Sequence, residues 1–212
     1  MTTRADERGS TVVLRPLATP MPLGFLGQAV ASWAFACLQL SWLDPSQGHL
    51  VAVGVLVFTV PLQALAATLG FLARDAVAAT GTGLLAGGWA VVATSTLLTP
   101  PGATTGALGV LTLGVAGTLL LPATVAVTRV AAAAVLWLSV ARFAVTGVAE
   151  LLGEQPWVHA AGWVGLLLSA TSLYAAAAFE LEAVTGHRWL PIGRLSSGSS
   201  DPQQEPGVRP NL

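Results

Sequence analysis

The sequence predicts an all-α integral membrane protein, a bundle of six transmembrane helices with both termini cytoplasmic. Three observations lead there. Of 212 residues, 54% are hydrophobic and 9% charged, whereas a soluble domain carries about 25% charged residues to dress its surface. Six apolar runs are each about as long as a helix that crosses a hydrocarbon layer roughly 30 Å thick. Eight of the nine arginines fall at the termini or on the connectors of one side.

The runs lie at 23–42, 50–73, 76–98, 104–126, 129–152 and 157–180. They lack the period-2 alternation of barrel strands, and lipid offers the backbone no partners, so helices are required. The first run follows "TPMPLGFLG", in which Pro22 is placed to start a helix because its missing N–H would be orphaned there anyway. The second holds Pro61 and Gln63. The third carries Gly83, Gly87 and Gly88, and the fourth Gly109, Gly114, Gly117 and Pro122; such glycines let backbones approach closely, within or between protomers. The fifth contains Arg142, and the sixth His159, Tyr174 and Glu180. The chain therefore divides into a cytoplasmic N-terminal segment (1–18), the helical domain (19–194) and a Ser/Pro/Gln-rich tail (195–212) expected to be disordered. The polar N-terminal segment has no apolar core of the kind a cleaved signal peptide needs.

Arg4, Arg8 and Arg15 precede the first helix, Arg74 joins helices 2 and 3, Arg129 joins 4 and 5, and Arg188, Arg194 and Arg209 follow the sixth. Short cytoplasmic loops collect positive charge, which puts both termini in the cytoplasm and the protein in the cell membrane as a multi-pass chain. With no lysine and a net charge of −1, no basic stripe is available for nucleic acid. A single cysteine, Cys37, excludes an internal disulfide and, with no Cys/His spacing suited to zinc, no metal or cofactor site is expected. There is no HExxH, no GxSxG and no close pair of intramembrane acids, so no enzyme is expected.

Two features point to an anion. A helix starting at Pro22 would leave the N–H groups of Leu23, Gly24 and Phe25 at the mouth, with the positive end of its dipole. Arg142 lies 13 residues past Arg129, about 20 Å along helix 5. A charge at that depth costs from about 3 to over 10 kcal/mol unless it is paired or wet. Glu150 is about 80° around the same helix and roughly 12 Å away, so a partner on another helix, or water, is expected. An arginine fork accepts a carboxylate bidentately, which makes Arg142 a candidate aid to carboxylate passage; structural pairing is the other reading. Gln63, beside the turn that Pro61 loosens, and Gln28 and Gln39 on helix 1 are further polar candidates. Tyr174, within a run of alanines, is expected to fill space and to bond a neighbour through its hydroxyl.

The end blocks carry a resemblance. "TPMPLGF" resembles the entrance signature of the acetate uptake transporter family, with Thr19 in place of the usual asparagine and Pro20, Pro22, Leu23 and Gly24 matching. Ala161-Gly162-Trp163-Val164-Gly165, Tyr174, Glu180, Gly186-His187-Arg188 and Leu190-Pro191-Ile192-Gly193 resemble that family's last helix and tail, and Gln63 and Trp89 fall where it has a glutamine and a tryptophan. The similarity runs from about 19 to 194. Asp75 replaces an asparagine in the turn between helices 2 and 3. The family's aromatic and apolar constriction falls at Gln28, Leu85 and Val140, so two aromatic positions are lost.

The resemblance implies a transporter or channel for small monocarboxylates such as acetate, with succinate as a further substrate, proton coupling or channel-like passage, and a homo-oligomer, a hexamer with one pore per protomer. Lipid is the remaining partner. The alternative is a non-transporting sensor or scaffold that keeps the fold with a diverged pore.

Overall fold

The computed structural model describes residues 18–185 and Leu190. Expectations for the N-terminal segment, for Gly186-His187-Arg188, for Pro191-Ile192-Gly193 and for the tail lie outside the described residues. Within them six helices are long and apolar enough to cross a membrane: α1 (Met21–Gln39), α2 (Pro45–Leu72), α3 (Ala76–Leu98), α4 (Gly106–Val125), α5 (Val130–Leu152) and α6 (Gln155–Thr185). No strand occurs among the described residues. The protein is an all-α, multi-pass membrane bundle.

Boundaries differ from hydropathy where caps decide them. α2 starts at Pro45, five residues ahead of the apolar run, because the Asp44 carboxylate accepts the Ser46 N–H at 2.9 Å and proline suits a first turn. Hydrogen bonds from the Ser46 side chain and backbone hold the Asp44 carboxyl below the usual carboxylate range. Asp75 caps α3 by accepting the Ala78 N–H at 3.1 Å, and Thr105 caps α4 through the Leu108 N–H at 3.1 Å. Gly153, at φ 67°, closes α5 in the left-handed region that favours glycine.

α2 is not uniform. Residues Val55–Thr59 form a wide π-helical turn immediately before Pro61. Proline has no N–H for the regular i→i−4 bond, so the turn loosens there. Its consequence is local: Thr59 Oγ1 reaches across and donates to the Gly27 carbonyl of α1 at 3.0 Å.

Each helix packs on its neighbours in sequence, and α6 returns to lie along α1, so the six close into a ring in chain order. Ser169 Oγ on α6 donates to the Ala29 carbonyl of α1 at 2.9 Å across that seam. Two apolar clusters fill the ring. One holds Phe35, Leu85, Trp89, Leu136 and Phe143; the other holds Met21, Phe25, Val135, Leu168 and Phe179. α4 and α5 cross most closely at Gly109 and Gly147: a Cβ on Gly147 would lie 2.9 Å from the Gly109 carbonyl oxygen. Gly88 plays the same part against Phe143, whereas Gly87, Gly114 and Gly117 meet nothing within 4 Å and face away from the protomer. Tyr174 is 41% exposed on the outer face of α6, among leucines that likewise face outward, while Ala175, Ala176 and Ala178 of the same run are buried.

Candidate functional site

The ring encloses a buried polar cluster at mid-height, to which α1, α2, α3 and α5 each contribute. Gln28 Oε1 accepts two hydrogen bonds, from Trp89 Nε1 at 2.7 Å and Gln63 Nε2 at 2.9 Å. Gln28 Nε2 donates to Ser32 Oγ at 3.4 Å and to Ser139 Oγ at 3.3 Å. Gln63 Nε2 also approaches the Gly24 carbonyl at 3.4 Å, so two acceptors fix which end of that amide is nitrogen. Gln28, Ser32, Gln63 and Ser139 are wholly buried. The amide nitrogens of Gln28 and Gln63 and the indole N–H of Trp89 are all engaged, while Gln63 Oε1 has no partner. An unsatisfied buried acceptor costs about 1–3 kcal/mol, and its natural complement is a hydrogen-bond donor, such as water or the hydroxyl of a protonated acid.

Leu85 belongs to the apolar cluster that includes Trp89, Val140 packs against that cluster, and Gln28 is bonded to Trp89. Two aromatic rings from α1 and α5 lie against Trp89. Phe35 stacks on Trp89 with ring centroids 5.6 Å apart, and Phe143 leans on it at 5.4 Å. The sequence reading passed over Phe35, Phe143, Ser32 and Ser139. Their signal was spacing: Gln28, Ser32 and Phe35 share one face of α1, as Ser139, Arg142, Phe143 and Thr146 share one side of α5.

Arg142 is buried, with 2% of its surface exposed. Nη1 donates to Thr146 Oγ1 at 2.9 Å and to the Ala161 carbonyl of α6 at 3.0 Å. Among the described residues no carboxylate pairs with it, and Nε has no partner. The expected partner on another helix is thus a backbone oxygen. Glu150 is engaged elsewhere, accepting the Thr105 N–H at 2.9 Å.

Cavities open at both ends of the ring. At the end where α1 begins, spaces of about 410 and 230 Å³ flank the Asp75–Arg129 ion pair, and Thr19 borders both. At the opposite end a cavity of about 280 Å³ is bordered by Gln39, His49, Thr99, Thr146 and Glu150. None of these three reaches Gln28 or Gln63.

The anion mouth expected at Pro22, Leu23 and Gly24 does not form as drawn. The helix starts one residue earlier, at Met21, and the Gly24 N–H is already bonded to the Pro20 carbonyl at 3.3 Å. Pro22 and Gly24 are buried, and a Cβ on Gly24 would lie 2.5 Å from Thr82 Cγ2. Of the entrance residues, Thr19 and Pro20 border the larger cavity, whereas Pro22, Leu23 and Gly24 border none of these three. The positive charge at that end comes from Arg74 and Arg129, which border the larger space.

The Asp75–Arg129 pair is partly exposed, with Arg129 at 37%, so solvent screens it. Asp75→Asn, which keeps an acceptor for Ala78, is expected to cost less than about 1 kcal/mol. Asp75→Ala loses the cap as well and should cost about 1 kcal/mol more. Thermal unfolding of the two variants in detergent checks the order; equal losses would place the whole effect in the ion pair.

Comparison with known proteins bears on the architecture. No protein-family model matches the chain, and no curated protein matches it. A solved structure, that of the bacterial acetate channel SatP, is similar with a TM-score of 0.72 at 22% identity, over 84% of this chain and 99% of that one. The six-helix ring is therefore a fold shared with a channel protein.

Proposed function

We propose that the protein is a membrane transporter or channel for small monocarboxylates of the acetate class, performing no covalent chemistry. The observation that carries this reading is the file of buried polar groups inside a ring whose fold an acetate channel shares: Thr146 and Arg142 behind one end cavity, then Ser139, Gln28 and Gln63, then the Asp75–Arg129 cavity at the other end. Polar groups inside a membrane are costly and mark solute paths. Passage requires Gln28 and Gln63 to exchange their mutual bond for one to the guest. Pro20, Pro22, Leu23 and Gly24 form the wall between the α1 end cavity and Gln63, and Leu85 and Val140 the apolar lining beside the waist. Arg74 and Arg129 at the α1 end support a cytoplasmic placement of that end, and the outward-facing Gly87, Gly114 and Gly117 support assembly of several copies.

A second reading, a sensor or scaffold, is favoured by the burial of Gln28 and Gln63 and their bond to each other. Uptake of radiolabelled acetate into proteoliposomes separates the two. The proposal expects saturable uptake above that of empty liposomes, lost on adding Gln63→Leu; uptake equal to empty liposomes for acetate, propionate and formate would establish the second reading.

A further inference from the structure

The two spaces at the α1 end share three bordering residues, Thr19, Asp75 and Arg129. They differ in the charge around them. Arg74, Asp75 and Arg129 border the 410 Å³ space, two cations to one acid, whereas Asp75, Arg129 and Glu182 border the 230 Å³ space, one cation to two acids. An anion is therefore favoured in the larger space, whose size falls within the range of about 300–1,000 Å³ usual for small-molecule sites.

The donors around it have capacity to spare. Arg129, its side chain 37% exposed, engages Asp75 and, at 3.7 Å, Met21 Sδ through Nη1 alone, so Nε and Nη2 are without partners among the described residues. Thr19 Oγ1 is buried and unpartnered. Arg74 is held at φ 55° at the end of α2, where its N–H bonds the Phe71 carbonyl at 3.1 Å and the Asp75 N–H bonds the Gly70 carbonyl at 2.9 Å. Glycine closes a helix in this way with the least strain. An arginine kept there against that preference, beside a cavity that a second arginine borders, points to a use for its charge.

Asp75 already fills the place of a carboxylate on Arg129, and its two oxygens divide the work. Oδ1 accepts the Ala78 N–H at 3.1 Å and caps α3, while Oδ2 pairs with Arg129. Arg129 can thus be released without uncapping the helix.

We propose that Arg74, Arg129 and Thr19 form a binding site for a small carboxylate anion in the larger space, and that the Asp75 carboxylate is its built-in competitor, neutralising Arg129 until a guest displaces it. The choice of guest rests on the transport reading; the site itself is testable by binding.

Saturation-transfer NMR on the detergent-solubilised full chain, titrated with propionate, tests it. Asp75→Asn, which keeps an acceptor for Ala78, is expected to tighten propionate binding about fivefold or more, the factor that one like charge a few ångströms away makes even in water. Most of that gain should disappear in an Arg129→Gln background, where there is no guanidinium to compete for. Arg74→Gly should weaken binding by about threefold without lowering the thermal midpoint, because the turn receives the residue that suits it. Propionate bound by neither the wild type nor Asp75→Asn, an Asp75→Asn affinity no higher than that of the wild type, an undiminished gain in the Arg129→Gln background, or an Arg74→Gly protein that binds as the wild type does would each overturn the proposal. Liposome uptake on the same variants tells the two claims apart. Tighter binding in Asp75→Asn with no uptake by any variant sinks transport and leaves the site standing; wild-type uptake whose half-saturation is unmoved by Asp75→Asn and Arg74→Gly does the reverse.

Discussion

Replacing Gln28 with leucine is expected to produce the largest loss of any waist substitution, in stability and in flux together. Its Oε1 is the shared acceptor of Trp89 Nε1 and Gln63 Nε2, both buried, so the substitution strands an indole N–H and weakens the hold on an amide. At about 1–3 kcal/mol for each buried donor left unmade, the penalty should reach roughly 2–4 kcal/mol, Gln63 retaining its long contact to the Gly24 carbonyl. A pair of variants makes this specific to the network. Gln28→Leu combined with Gln63→Leu removes the stranded amide as well, so the double variant should be more stable than the sum of the single losses, with a coupling of about 0.5–3 kcal/mol. Denaturation in detergent for the four proteins of the cycle measures it, and strict additivity would show that these two side chains do not act as a unit.

Gly147→Val should compromise the bundle itself. The new Cβ would sit 2.7 Å from Leu113 Cγ, 2.9 Å from the Gly109 carbonyl oxygen and 2.9 Å from Thr112 Oγ1. A leucine tip can swing aside, but a backbone oxygen in a neighbouring helix cannot, so α4 must move off α5. Overpacking of this kind typically costs 1–3 kcal/mol, and here the upper end is expected because the obstruction is main chain. The midpoint of thermal unfolding should fall by roughly 6–12 °C, with a broadened size-exclusion peak. Gly114→Val, where nothing lies within 4 Å in the protomer, is the control for the backbone change alone. A Gly147→Val protein that melts with the wild type would mean that α4 and α5 approach less closely than these distances state.

The fold was legible because the membrane imposes a length on every span and forbids unpaired backbone within it, so hydropathy alone located all six helices to within a few residues. Caps were less visible. α2 begins ahead of its apolar run because Asp44 and Pro45 set its first turn, a local chemistry that an average over many residues conceals. The site was half legible. Arg142, Gln28 and Gln63 stood out because polar side chains are expensive in lipid, yet sequence could not say that Gln28 is the hub, since that depends on Trp89 and Gln63 reaching it from two other helices. Phe35 and Phe143 were invisible because an aromatic residue among apolar ones has no contrast. The amide mouth at Pro22 failed for a simple reason: Pro20 and Met21 already adopt helical geometry, so the N–H of Gly24 is used one turn early.

The closure of the ring by α6 against α1 has a consequence for biosynthesis. The helix that supplies the Ala161 carbonyl is the last of the six to leave the ribosome, so the Arg142 guanidinium enters the bilayer before its backbone anchor exists. Until the final span arrives, that cation must be solvated by water or by the insertion machinery, which makes delivery of α6 the step that commits the nascent chain to its finished form.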